Sequence, residues 1–269
     1  MAGIPIATRD GLLVATGSAP FTPRLRKNTI QEIIKDKSET WFWEDTFLDN
    51  GKWIAMAIEN NSFVAVADGS YDPTCGQSLC TAGAHFMCTV TGCIAPASIK
   101  ATMDDNAGAY RSELTGLYHI LALCALVCHA HNVTTGSIQI SCDNDGALWR
   151  AQPLSTYVPV RSKHSDVVRA IRVAKQDIPV PIRYVQVMGH RDDQIPWHRL
   201  TNKEQLNILC DDLAKLRRAQ EQDLPTPSRE ILPHEHMVIR LAGKKISLDP
   251  GKAIRQYVPR QEMRQYHAE

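Results

Sequence analysis

The stretch that most constrains this chain is Ser62–Asp72, SFVAVADGSYD, where an apolar alternation ends on a single acid. Phe63, Ala65 and Ala67 fall on one face of an extended segment and Val64, Val66 and Asp68 on the other, so Asp68 closes a strand buried on both sides. A lone buried carboxylate costs several kcal/mol, so Asp68 requires a cation, a donor, or other carboxylates gathered on a metal. Gly69 is expected to break the strand. Three acids at the edges of patterned elements are candidate companions: Glu113 in YRSEL, Asp143 in ISCDND and Asp211 in NILCDDLA.

The other strands follow from alternation and turn signals. Leu79–Val90 and Cys93–Ile99, separated by Thr91-Gly92, read as two strands that form an antiparallel meander with the first. From Ala107 to Asn132 the period becomes 3.6, with Leu117, Ile120, Cys124 and Val127 on one face and Glu113 one turn before them. Taken alone, Glu113 reads as a first-turn acid favoured by the helix dipole. Ser137–Asp143 is a fourth strand, parallel to the first because a long helix precedes it, and Asp143 ends it. A short helix over 145–152, a helix over 165–176 and a fifth strand over 182–188 come next, closed by Gly189-His190. Thr201-Asn202-Lys203-Glu204 has the form of a capping box, which starts a helix at Asn202. Its expected buried stripe is Leu206, Leu209, Cys210 and Leu213, with Asn207 and Asp211 on a neighbouring face.

The flanks are less patterned. Residues 1–61 carry Trp41, Phe42, Trp43, Phe47 and Trp53, expected to pack on the next domain rather than to stack bases, after a short helix over 29–37. The segment 222–234 reads as a linker, and 235–269 as a C-terminal extension with a hairpin near Gly243 and Lys244 and a helix over 250–264 broken near Pro259. His234 and His236 are read as ordinary surface. The domain itself is placed at 62–221.

Composition settles little about partners, because a net charge of +1 requires any phosphate-binding surface to arise from local clustering. The eight cysteines include no C-x-x-C pair and read as reduced thiols of an intracellular, cytoplasmic or nuclear protein. Cys124, Cys128, His129 and His131 fit no zinc spacing and mark a buried helix end. Leu114–Ala130 is expected to be a core helix and not a span, and no signal peptide is expected before it.

The element order and the motifs ADGSYD, YRSELTGL, CDND, VMGHRDD and NILCDDLAK together resemble type 1 ribonuclease H domains, most closely those of eukaryotic retroelement polyproteins. The resemblance implies an α/β fold with a five-stranded mixed sheet of order 3-2-1-4-5 flanked by helices. It implies cleavage of the RNA strand of RNA–DNA hybrids, with two Mg²⁺ ions, or Mn²⁺ in their place, held by Asp68, Glu113, Asp143 and Asp211. All-carboxylate, thiol-free ligation suits such hard ions. His190 matches the family's mobile histidine, and Ser70, Asn144 and Asn207 are expected to touch the nucleic acid. Ala109 and Asp145 stand where the family often has Asn and Gln, and the basic handle is reduced to Arg150, Arg161, Lys163 and His164. A polymerase module of a parent polyprotein is therefore an expected partner, and no membrane is. The competing readings are a decayed, non-cleaving binding module and a DNA transposase or integrase, the latter opposed by Glu113 and Asp211.

Overall fold

Five strands carry the sheet: β1 (Phe63–Tyr71), β2 (Cys80–Cys88), β3 (Ile94–Lys100), β4 (Ile138–Cys142) and β5 (Ile182–Gln186). The computed structural model describes residues 50–75, 79–101, 107–159, 161–222, 238–241, 244–246 and 248–257, with positions 15, 16, 30, 43, 45, 46 and 232. The strands lie in the order β3-β2-β1-β4-β5, as the resemblance implies. β1 to β3 form the antiparallel meander, and β4 runs parallel to both β1 and β5. A further two-residue strand, Asp45–Thr46, pairs antiparallel with the outer edge of β3 and extends this five-stranded sheet by one short edge strand.

Gly69 does not break β1, which continues to Tyr71. A Cβ at Gly69 would lie 2.6 Å from the Glu113 backbone nitrogen and 2.6 Å from Ser112 Cβ. The glycine is thus there for the close approach of a helix to the strand, not for a turn.

Among the described residues the main helices are, in chain order, α1 (Lys52–Glu59), α2 (Ala109–His131), α3 (Asp145–Ala151), α4 (Ser165–Gln176) and α5 (Asn202–Gln222), and residues 250–257 are helical as well. α1 was not expected; it buries Ile54, Ala55, Ala57 and Ile58, and Trp53 beside it packs on the core. Of the other N-terminal aromatics, Trp43 is buried in the same core, while Trp41, Phe42, Phe47 and most of 29–37 lie outside the described residues.

The two faces of β1 build two cores. Phe63, Ala65 and Ala67 join the large core under α2, and Val64 and Val66 join Met87, Leu206 and Cys210 under α5. α2 is buried on every side from Arg111 to Cys128, because α4 covers the side that the sheet does not. It is long and apolar enough to cross a membrane, yet 83% of its most apolar window lies inside the fold. Cys124 and Cys128 are interior residues of this helix.

The capping box forms as expected: the Thr201 backbone N–H donates to Glu204 Oε2 at 2.9 Å, and the Glu204 N–H donates back to Thr201 Oγ1 at 3.4 Å. The buried face of α5 differs from the expected stripe. Leu209 is 36% exposed, while Leu206, Asn207, Cys210, Ala214, Arg217 and Glu221 are buried. The reason is Gly83 on β2: a Cβ there would sit 2.2 Å from the Cys210 carbonyl oxygen, so the helix backbone lies directly on the strand. Small and paired residues then fill a seam too narrow for a row of leucines.

The C-terminal hairpin pairs Val238–Leu241 with Lys244–Lys245, and Ala15–Thr16 adds antiparallel to its outer strand. The two flanks therefore meet. Lys245 reaches into the core, where its Nζ lies 2.9 Å from Asp166 Oδ2, and Arg111 donates to both Asp166 oxygens at 3.1 and 2.7 Å. All three side chains are buried. Of the expected linker 222–234, Gln222 is the last residue of α5, and the rest lies outside the described residues, Leu232 excepted, as do His234 and His236.

Candidate active site

Register places the first two acids. Val66 is opposite Ser141 in the parallel β1–β4 pair, so two residues further on Asp68 and Asp143 stand side by side at adjacent strand ends. α2 brings Glu113 over them, and α5 brings Asn207 and Asp211 from the other face. Glu113, Asp143 and Cys142 offer ligand atoms that all lie within 4.8 Å of one another. Asp68, Asp211, Asn207 and His190 line a cavity of about 180 Å³ together with Asp192, Asp193, Asp212 and Lys215.

The acids are strongly coupled. Burial is the first cause that raises Asp68 to about 7, followed by the charge of Asp143, against which the Gly69 N–H donates to its Oδ1 at 2.7 Å. Glu113 is pushed well above the carboxylate range by burial, then by the charges of Asp68 and Asp143. Asp143 is raised mainly by burial, with the imidazole of His190 pulling the other way. A hydrogen bond from protonated Glu113 to Asp68 fits these opposed effects. The cluster thus carries less negative charge than its composition suggests, and a bound cation is what would let all its members ionise.

Hydrogen bonds orient the individual oxygens. Asn207 Nδ2 donates to Asp68 Oδ2 at 3.2 Å. A Cβ at position 189 would lie 2.4 Å from Asp143 Oδ2, so the glycine before His190 gives that carboxylate its room. His190 is exposed on a left-handed turn, φ 51°, and lines the cavity.

Two neighbours escaped the sequence reading. The Cys142 thiol donates to Glu113 Oε2 at 3.3 Å, so the cluster is not thiol-free. Burial and then the Glu113 charge push that thiol well above its ordinary value, which keeps it a proton donor and not a ligand. Lys215 Nζ lies 2.6 Å from Asp211 Oδ2, one helical turn along α5. Only the second had a sequence signal, the i,i+4 spacing.

The three residues expected to touch nucleic acid are engaged within the protein. Ser70 is buried and its Oγ accepts from Arg218 at 2.7 Å; Asn144 caps α3 by accepting from the Ala147 N–H at 3.1 Å; Asn207 holds Asp68. Ala109 is the first residue of α2, and Asp145 is exposed in the first turn of α3.

The strand order, the parallel crossover and the four converging acids define a ribonuclease H-like α/β domain. No family model matches the sequence, and no curated protein does. Solved structures similar to it include a foamy viral protease–reverse transcriptase in complex with RNA/DNA hybrid, at 18% identity and a TM-score of 0.41, over 61% of this chain and 21% of that one. The N-terminal RNase H domain of a Mycobacterium tuberculosis protein, fused to maltose binding protein, is also 18% identical, with a TM-score of 0.34, over 59% and 96% of the two chains. RNase H1 from the archaeon Halobacterium salinarum is 16% identical, with a TM-score of 0.30, over 46% and 85%. The fold assignment rests on this chain's own topology.

Proposed function

We propose that the protein is a divalent-metal-dependent endonuclease that cuts the RNA strand of RNA–DNA hybrids. The observation that carries the reading is the parallel register setting the buried Asp68 beside the half-buried Asp143 under the buried Glu113, three carboxyls in want of positive charge. Their oxygen donors fit Mg²⁺, with Mn²⁺ as substitute, and Asp211 offers a fourth carboxylate on the open side of the cavity. Such ions supply Lewis-acid activation of water and neutralise charge during in-line attack on a phosphodiester.

The chain's own residues prepare that chemistry. Gly69 N–H and Asn207 fix one Asp68 oxygen each, so the carboxylate cannot rotate. His190, exposed and flanked by Asp192 and Asp193, is placed to carry a proton between the cavity and solvent. Asp211, held by Lys215, would be free to turn to a bound cation once that pair opened. The retroelement origin belongs to this proposal and rests on the flavour of ADGSYD, YRSELTGL and GHRDD; a polymerase-like reading frame upstream of Met1 tests it.

The test is cleavage of an end-labelled RNA annealed to DNA, with Mg²⁺ or EDTA, by the wild type and by Asp68→Asn. Mg²⁺-dependent products with 5′-phosphate ends, absent with Asp68→Asn, support the reading. RNA left equally intact by both proteins overturns it in favour of the non-cleaving binding module, and cleavage of DNA alone in favour of a transposase-like enzyme.

A further inference from the structure

We propose that Lys252 and Arg255 on the helix 250–257, with Arg161 and Lys163 on the loop before α4, form a duplex-binding surface beside the active site and supply the grip that the α3–α4 loop alone does not. The inference rests on the nucleic-acid substrate proposed above and adds where its backbone is held. The first observation is anchoring. Lys245 is buried against Asp166, at the start of α4, and Asp166 in turn clamps Arg111, two residues before Glu113. Arg161, in the loop before α4, pairs with Asp249 at 3.5 Å, so the hairpin and the helical turn after it are both tied to 161–166.

The second observation is position. Loop 161–166 adjoins the catalytic end of the sheet: the rings of His164 and Tyr110 lie 5.7 Å apart, and Tyr110 Oη donates to the Gly146 carbonyl at 3.0 Å, three residues past Asp143. A chain of contacts therefore runs from Asp143 through Gly146, Tyr110 and the buried His164 to the loop whose exposed Arg161 meets Asp249, just before the helix 250–257.

The third observation is charge. Lys252 and Arg255 are exposed three residues apart on that helix, and Arg161 and Lys163 are exposed on the loop it touches. Lys163, Lys252 and Arg255 make no ion pair among the described residues, and Asp249 is the acid set among the four cations. The chain as a whole has a net charge of +1, so this clustering is local. Four flexible cations on a rigidly anchored frame suit phosphate oxygens along a duplex rather than a base-specific contact. Arg150, in the last turn of α3, donates to the carbonyl of Lys163 and the hydroxyl of Ser162 and adds little to such a surface.

The experiment is fluorescence anisotropy of the full chain with a fluorescein-labelled 18-base-pair RNA–DNA hybrid, and separately with a DNA duplex of the same sequence, in EDTA across a salt series. The double variant Lys252→Glu/Arg255→Glu should bind both duplexes about tenfold or more weakly, with the slope of log Kd against log salt reduced by roughly 2, one contact per lost cation. Circular dichroism melting should be unchanged, since both side chains are exposed. Equal affinity and slope in variant and wild type overturn the proposal, as does a wild type that binds neither duplex. Salt-sensitive binding lost in the variant, with no cleavage of the hybrid by wild type, upholds the surface while removing the nuclease reading. Cleavage with unchanged binding does the reverse.

Discussion

Two clusters of buried charge flank the first turns of α2, and they are built on opposite terms. At Arg111, one carboxylate, Asp166, sits between two cations, and the Arg111 and Lys245 charges hold it far below the carboxylate range in spite of burial. At Glu113, carboxylates face one another, and burial with mutual repulsion lifts Asp68 to about 7 and Glu113 well above its ordinary value. The first cluster is complete within the chain. The second leaves its acids facing one another, and that contrast is what makes it the candidate functional cluster of the two.

The largest expected effect of breaking the functional cluster is on turnover. Asp68→Asn and Glu113→Gln should each lower hybrid cleavage by roughly a hundredfold or more, measured as single-turnover rates at saturating Mg²⁺, while melting temperatures hold or rise because a repulsion has gone. Breaking the structural cluster should do the opposite. Asp166→Ala leaves Arg111 and Lys245 buried without their carboxylate and should cost about 3–5 kcal/mol in urea denaturation.

The pH dependence of stability should split in the same way. Asp68 binds its proton more tightly when folded, so its contribution is present below the unfolded value near 3.8 and is lost as pH rises through about 7. Asp166 is depressed, so its contribution is present above that unfolded value and lost as pH falls below it. In EDTA the melting temperature should therefore fall between pH 4 and pH 7 and also fall below pH 4. Mg²⁺ should restore the neutral limb only, and a flat neutral limb would remove the coupled acids from the account. The smallest effect is expected at Lys215, which is half exposed: Lys215→Met should change stability by less than about 0.5 kcal/mol. Calorimetric titration with Mn²⁺ should nonetheless show tighter binding once Asp211 has lost its competitor.

The four acids that converge at the cleft were legible because each is reported by a local pattern. Alternation places Asp68, the crossover rule pairs its strand with that of Asp143, the 3.6 period turns Glu113 toward the sheet, and the capping box starts the helix of Asp211. Cys142 carries no such mark; its role depends on how far α2 leans over β4, which no local spacing encodes. The burial of Asn207, Arg217 and Glu221 was hidden for a related reason. Hydrophobicity ranks leucine above them, and only the approach permitted across Gly83 reverses that order. Lys245 was the furthest from view, since its partner lies 79 positions earlier, as the numbering of Asp166 and Lys245 shows, and a single lysine in a polar hairpin reads as surface.

Gly83 also governs how deep the last carboxylate sits. With the Cys210 carbonyl resting where a methyl group would be, any side chain at 83 must lift α5 from the sheet, carrying Asn207 and Asp211 upward as one unit. The spacing between opposing carboxylate oxygens, on which the proposed cation would depend, is then set by a shim that lies outside the acidic cluster.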